Sequence, residues 1–454
     1  MNFIGVIIKY MTSIFFIHGL AQYFLYRFKS AYRLFYLFVL LTMSFHGYSQ
    51  PQSKDLAVAQ AHFDVGEYAK AQEYYRIAYA QKHNIEVARS IARCSYLIRD
   101  YQQAEAWYNR IYKSKTYDAA DIKAYCEILK MNEKYTLARE IVSKFLDSTL
   151  IQETARIILR SCDSSLKWMS HKEVLSIIPL KGINTEYSEI SPAFYKNGIV
   201  YNSTMEKKIL KKKTGFTDEP FYDLYFGWGD FRDNWHSTNF SVFLNSSDHE
   251  GSVTFNKTFD QIYLTRCRSN LTRQDSISTN HLKLYKAHKL GLGWSKPEQF
   301  MINDSVYSFG HPSISADEKI FIFSSNMPGG LGGVDIYACF KVDSLRWSLP
   351  INLGPQINSS YNELFPFIHT DGKLFFSSDN PSGMGGYDIY YSVVVNGAWN
   401  IPVNMKYPIN SSQDDFSFIL DNEKTTGYLT SNRKGGKGKE DIYQIKFNTD
   451  LPKP

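Results

Sequence analysis

Hydrophobic and polar positions follow two different rhythms along this chain. Before about residue 165, apolar and small residues recur at helical spacing, in segments separated by short polar turns. From about residue 172 onward, short apolar runs rich in Phe, Tyr, Ile and Val are broken by Gly, Asn, Asp and Pro, which is the pattern of strands and tight turns. The chain therefore reads as a helical part followed by an all-β part.

Each part is internally repetitive. In the helical part, Gly66-Glu67-Tyr68-Ala69-Lys70-Ala71 is echoed by Asp100-Tyr101-Gln102-Gln103-Ala104 and by Lys134-Tyr135-Thr136-Leu137-Ala138. The step from Tyr68 to Tyr101 is 33 residues and that from Tyr101 to Tyr135 is 34. Ala71, Ala104 and Ala138 allow neighbouring helices to approach closely, so stacked helix pairs over residues 51–165 are predicted. Such an array forms a groove for a peptide or a partner's helix, or it only buttresses the next domain; both readings stand open.

In the β part a triplet recurs as Asp223-Leu224-Tyr225, Lys283-Leu284-Tyr285, Asp335-Ile336-Tyr337, Asp388-Ile389-Tyr390 and Asp441-Ile442-Tyr443, in steps of 60, 52, 53 and 53 residues. Two strands joined by a turn precede each triplet, with turns expected at Ala316-Asp317-Glu318-Lys319 and Thr370-Asp371-Gly372-Lys373. A tryptophan follows the triplet at Trp235, Trp294, Trp347 and Trp399 and is read as marking a fourth, outer strand. Four strands per unit of about fifty residues predict a five-bladed β-propeller over residues 172–448, leaving a tail at 449–454. The last unit lacks its outer strand, and Val174 to Leu180 is expected to supply it and close the ring.

Taken together, Ser-Pro or His-Pro, Asp-Gly-Lys, Phe-Ser-Ser, a Gly-rich loop and Asp-Ile-Tyr resemble the WD40-like propeller repeat called PD40, similar to the TolB propeller. The helical segments resemble tetratricopeptide repeats. That domain order is similar to periplasmic OmpA-family proteins of Bacteroidetes, some of which belong to type IX secretion and gliding machinery. The resemblance implies an envelope protein whose partners meet its helical groove and propeller face. It departs where those proteins continue into an OmpA-like domain that binds peptidoglycan, which puts cell-wall anchoring in doubt.

Composition refines this picture. Aromatic residues make up 16% of the chain, which suits many short strands. The formal charge of +6 falls to +2 without Lys9, Arg27, Lys29 and Arg33, so no general attraction to nucleic acid is expected. The clusters Lys207, Lys208, Lys211, Lys212, Lys213 and Arg433, Lys434, Lys437, Lys439 are read as solvated loops, with an anionic partner as the alternative. Those first four bases flank apolar segments, Tyr10 to Tyr26 and Leu34 to Met43, and Gly47-Tyr48-Ser49 offers a cleavage site before Gln50. Residues 1–49 are therefore expected to be an export leader, with a retained membrane anchor as the rival. The five cysteines, Cys94, Cys126, Cys162, Cys267 and Cys339, show no metal spacing and are expected as buried free thiols.

Candidate chemistry is sparse. Glu189, Glu250, Phe309, Glu363 and Asp414 stand three residues before the proline-like position that opens each inner strand. On that alignment four carboxylates ring one mouth of the channel, where they would hold calcium, magnesium or a basic ligand, or would instead accept backbone N–H bonds and order the rim. The loops Gly329-Gly330-Leu331-Gly332-Gly333 and Gly383-Met384-Gly385-Gly386 lie between strands and are read as tight turns, not phosphate cradles. Asp223, Asp335, Asp388 and Asp441 are expected to bind those loops' backbone. No G-x-S-x-G or H-E-x-x-H is present. The expectation is a non-enzymatic exported scaffold of the periplasm or outer membrane, and the alternative is a five-bladed glycan-binding protein or glycoside hydrolase.

Overall fold

The computed structural model describes residues 54–149, 151–170, 175–205, 220–230, 234–267, 281–344 and 346–447. The leader, the tail and the cluster Lys207 to Lys213 lie outside these residues. Seven helices come first among them: α1 (Lys54–Asp64), α2 (Tyr68–Gln81), α3 (Ile85–Leu97), α4 (Tyr101–Ser114), α5 (Ala119–Met131), α6 (Tyr135–Ser143) and α7 (Gln152–Ser170). Each repeated tyrosine is the first residue of the second helix of a pair. Ala71, Ala104 and Ala138 are fully buried, as close helix packing requires. Asp100 caps α4 through the Gln103 N–H at 3.0 Å, and Asp118 and Asp121 form a reciprocal capping box on α5. No helix of the described residues is long and apolar enough to cross a membrane.

Five four-stranded antiparallel blades follow. The first blade is β2 (Glu189–Tyr195), β3 (Gly198–Ser203), β4 (Asp223–Gly229) and β5 (Trp235–Asn239); it is preceded by β1 (Leu175–Pro179). The second is β6 (His249–Phe255), β7 (Gln261–Cys267) and β8 (Leu282–Leu290), with β9 (Gly293–Trp294) in a hairpin on β8 before the outer β10 (Glu298–Gln299). The third is β11 (Phe309–Ile314), β12 (Ile320–Ser325), β13 (Asp335–Phe340) and β14 (Ile351–Asn352). The fourth is β15 (Glu363–Ile368), β16 (Leu374–Ser378) and β17 (Asp388–Ser392), then the hairpin β18 (Val394–Val395) and β19 (Ala398–Trp399), then the outer β20 (Val403–Asn404). The fifth is β21 (Asp415–Leu420), β22 (Thr426–Ser431) and β23 (Asp441–Phe447), completed by β1. Closure is thus the expected one: β1 runs antiparallel to β23, from Leu175 opposite Phe447 to Pro179 opposite Tyr443.

The tryptophans need a correction. Only Trp235 opens an outer strand; Trp294, Trp347 and Trp399 sit in the hairpin ahead of it. Large aromatic rings at that bend fill the space between blades, as where Trp294 meets Phe240 and Phe255, and Trp347 meets Phe300 and Phe321. The cysteines are free, and all but the half-buried Cys267 are buried; burial pushes the thiols of Cys94 and Cys339 up to about 12.

A polar device absent from the sequence reading recurs in every blade. Just past each outer strand a backbone N–H, from Leu180, Phe240, Phe300, Leu353 or Met405, still reaches the carbonyl of the triplet's middle residue at 2.8 to 3.1 Å, but no strand reaches that residue's N–H. An asparagine accepts from that N–H and adds a second donor to the carbonyl. Asn184, Asn245, Asn303, Asn358 and Asn410 accept from the N–H of Ile442, Leu224, Leu284, Ile336 and Ile389 at 2.7 to 3.0 Å. Each donates its Nδ2 back to the same residue's carbonyl at 2.6 to 3.0 Å. Burying that N–H unpaired costs about 1–3 kcal/mol, so the residue type is tightly constrained.

Replacing residues 175–179 by a Gly-Ser segment of equal length removes the outer strand of the fifth blade. The melting temperature is expected to fall by at least about 10 °C, the equivalent of a few kcal/mol in a domain of this size. Unchanged melting in a calorimetric scan would show that the ring does not depend on β1.

Candidate functional site

The helices dock on the propeller face formed by the Gly-rich loops. Lys130, at the end of α5, is fully buried and donates to the Pro381 carbonyl at 2.8 Å while pairing with Glu127 at 3.2 Å. Tyr135 donates to the Met384 carbonyl at 3.1 Å and Ser161 to the Gly383 carbonyl at 2.5 Å. Gln413 donates to the Met131 carbonyl, and Tyr101 to Asp414 Oδ2 at 3.0 Å. The loop is glycine-rich for a steric reason. A Cβ on Gly383 would lie 2.0 Å from Asp388 Oδ2, and one on Gly386 would lie 2.0 Å from Asp414 Oδ1. The triplet aspartates hold these loops: Asp335 accepts from Leu331 and Gly332 N–H at 2.6 and 2.9 Å, Asp441 from Lys437 N–H at 2.6 Å, and Asp388 from Met384 N–H. Asp223 is buried in the first blade, and Lys283 takes the position in the second, donating to the Tyr307 carbonyl at 2.6 Å. Tyr225, Tyr285, Tyr337 and Tyr443 of the triplets are buried, and Tyr390 packs at the edge of the core against Phe376.

Two turn residues of the helical repeat make the contact charged. Gly66, Arg99 and Glu133 occupy equivalent turns, all with left-handed backbone, at φ 78°, 62° and 61°. Glycine adopts this freely, whereas an L side chain costs about 1–2 kcal/mol. Arg99 uses the position to pair with Asp414 at 3.4 Å and with Glu440, while Tyr222 and Tyr387 lie close by. Glu133 reaches Lys434 at 3.5 Å. Tyr222, Val334, Tyr387 and Glu440 directly precede four of the triplets, and their carbonyls accept the N–H of Glu250, Glu363, Asp415 and Glu189 in the next blade. Arg99 therefore covers the mouth of the channel where the inner strands begin.

Of the two readings of the acidic position, cation site or rim-ordering acceptor of backbone N–H groups, the geometry matches the second at Glu189 and Glu363. Glu189, Glu250 and Glu363 are buried within their own blades. Glu189 accepts from Thr185 N–H, Thr185 Oγ and Ser203 Oγ at 2.7 to 2.8 Å. Glu363 repeats this with Ser359 N–H, Ser359 Oγ and Ser378 Oγ at 2.6 to 2.9 Å. Glu250 accepts from Ser246 Oγ at 2.6 Å and faces Arg266 at 3.1 Å. Each carboxylate thus closes the connection that arrives from the preceding blade. The fifth-blade equivalent is Asp415, not Asp414: it binds Ser411 N–H and Oγ and pairs with Arg433 at 2.5 Å. Asp414 instead belongs to the helix contact. Among the described residues no three His, Cys, Asp or Glu side chains gather as a metal site, and the cation beside Asp414 is the chain's own Arg99.

The opposite mouth is open. A cavity of about 430 Å³ is lined there by inner-strand residues of all five blades, among them Ser191, Ser252, His311, Phe365 and Ser417. The His311 ring lies 3.8 Å from Phe365. Three prolines, Pro192, Pro312 and Pro366, stiffen the wall.

Fold and site together define a five-bladed propeller with one mouth capped by helical repeats and the other open. No family model matches the chain and no curated protein matches it. Solved structures similar to it include Zg3597, a family 117 glycoside hydrolase of the marine bacterium Zobellia galactanivorans, at 13% identity and TM-score 0.39, covering 61% of this chain and 92% of that one. They also include an endo-arabinase from Bacteroides thetaiotaomicron, at 14% identity and TM-score 0.38, covering 60% and 97%. TolB from Acinetobacter baumannii matches at 13% identity and TM-score 0.32, covering 67% and 71%. At these identities the likeness is one of propeller fold. The expectation that the chain is not an enzyme is corrected by the glycoside hydrolases in this company, since the fold does not set the chain apart from them.

Two outcomes follow from the docking face. Arg99→Ala removes the charge and keeps the left-handed strain; Arg99→Gly removes both. Both are expected to lower stability, Ala by about 1 kcal/mol more than Gly. Stability of Arg99→Ala equal to that of the parent, read by thermal melting, would show that the ion pairs contribute nothing, because alanine keeps the left-handed strain. The second outcome concerns Asp388, whose carboxyl is pushed up to about 7 by burial, with Asp415 nearby adding to the effect. The folded chain then keeps a proton that the unfolded chain releases near pH 4, so stability falls as pH rises from about 4 to about 7. Asp388→Asn is expected to flatten that slope in melting curves, and an unchanged slope would mean that the carboxyl ionises normally.

Proposed function

We propose that this chain is an exported interaction scaffold of the bacterial envelope, in which the helices brace one propeller mouth and the other mouth meets the partner. The observation that carries this reading is the docking itself. Buried Lys130 and the left-handed Arg99 direct the helical array's polar groups onto the propeller. This favours the buttress role for the array and leaves the open mouth to partners. The leader pattern of residues 1–49 supports export to the periplasm or the periplasmic face of the outer membrane, where a secretion or gliding-associated complex is the proposed setting.

A second reading, a glycan-binding protein or glycoside hydrolase, is favoured by the open cavity with its aromatic, proline and hydroxyl lining. Cell fractionation, mass spectrometry of the mature N-terminus and a photo-crosslinker at Lys257 on the open mouth test the first reading. A mature chain beginning at Gln50 in the periplasm, crosslinked to an envelope protein, is expected. A cytosolic chain still beginning at Met1 overturns it. Binding or cleavage of arabinan, xylan or fructan would move the chain to the second reading.

A further inference from the structure

The five inner strands bulge at one level and present Ser191, Ser252, His311, Phe365 and Ser417 to the open cavity. Four of these hold left-handed backbone, at φ 56°, 54°, 51° and 56° for Ser191, His311, Phe365 and Ser417. Non-glycine residues in that region cost about 1–3 kcal/mol each and cluster where a fold holds ligand-facing groups in place. Neighbouring blades lock them: the Ser191 N–H donates to Thr430 Oγ1 and the His311 N–H to Thr265 Oγ1, both at 3.0 Å.

The chemistry at this level is uncharged. Burial drives the His311 imidazole down to about 3, so the ring is neutral. The charged lining residues, such as Lys196, Lys257, Asp421 and Glu423, belong to the strand-joining turns at the rim. A charged ligand moved past that rim would lose hydration without gaining a counter-ion. Two polar atoms of the lining stand without a hydrogen-bond partner: Oγ of Ser191, a residue 2% exposed, and Nδ1 of His311. Buried polar atoms in that state point to a missing partner.

Shape selects further. Hydroxyl and imidazole groups approach the axis from blades around the ring, so they suit a compact ligand with hydrogen-bonding groups on its circumference. An extended peptide carries its main-chain groups on two edges only. The His311 and Phe365 rings supply an apolar wall, and about 430 Å³ lies within the usual range of small-molecule sites, roughly 300–1,000 Å³. We infer that the open mouth binds a single uncharged sugar ring, with His311, Ser191, Ser252 and Ser417 as its polar contacts and the His311–Phe365 pair as its apolar wall. This deepens, and rests on, the glycan reading of the cavity.

Calorimetry on the full mature chain tests it, with arabinobiose, xylobiose and sucrose as neutral probes and galacturonate as the charged control. Saturable binding of at least one neutral sugar is expected, with galacturonate at least about tenfold weaker. Ser417→Asn fills the cavity and tolerates the left-handed backbone, and Ser252→Leu fills it at the bulge without left-handed backbone. Each is expected to weaken binding at least tenfold with the melting temperature and circular dichroism preserved. Two blockers guard against one failing to fold. Absence of saturable heat with every neutral sugar up to about 10 mM, equal binding of galacturonate, or binding that survives both blockers overturns the assignment. If arabinan, xylan or fructan binds the parent chain and the blocked variants alike, the glycan reading stands and this site falls; if none binds the parent chain or is cleaved by it, both fall.

Discussion

The pairing of β1 with β23 is the constraint on which the rest of this molecule depends. It completes the fifth blade and so closes the ring, and it does so with an outer strand that lies between the helices and the first blade in sequence. The chain leaving α7 is therefore fixed to the fifth blade. The helices pack against that blade and its neighbour, on the loops around residues 381–386 and 412–415. Ring closure and helix docking are consequently one event in space, although they involve opposite ends of the propeller sequence.

Buried polar groups do much of the specifying. Five asparagines complete third strands that short outer strands leave unsatisfied, and four carboxylates tie the arriving connection to the start of each inner strand in all blades but the third. Phe309 fills that place in the third blade, packed against Phe323, and shows that an aromatic ring can substitute for the polar lock. The carboxylates facing the helix-side mouth, Asp414 and Glu440, meet a cation from within the chain. Accordingly the two mouths differ in kind: one is neutralised and covered, the other open and uncharged at its depth.

Several elements were legible from residues alone. Tyr68, Tyr101 and Tyr135 begin helices because the repeat places an aromatic ring at the entry of each second helix, buried at Tyr101 and Tyr135 and half-buried at Tyr68, and four of the five triplets open with an Asp that can satisfy a loop before an apolar pair enters the sheet. The asparagines were legible too: Ile183-Asn184-Thr185, Leu244-Asn245-Ser246, Ile302-Asn303-Asp304, Ile357-Asn358-Ser359 and Ile409-Asn410-Ser411 form one recurring pattern that counting from the triplets passes over. The acidic position of the fifth blade was misread because that blade lacks the proline used as a ruler. Ser417 is its left-handed residue, matching Ser191, His311 and Phe365, so the count falls one residue short and selects Asp414 in place of Asp415.

By itself the sequence determined the number of units, the strand order within them and the borrowed closing strand, because these follow from local periodicity and turn chemistry repeated five times. Tertiary structure alone decided where the polar side chains point. Arg99 and Glu133 look like ordinary turn residues until the helices are laid on the propeller, and the bulge residues converge only when five strands surround one axis. Repetition fixes what each blade is; the environment of a side chain depends on which surfaces meet, and that is a property of the closed ring.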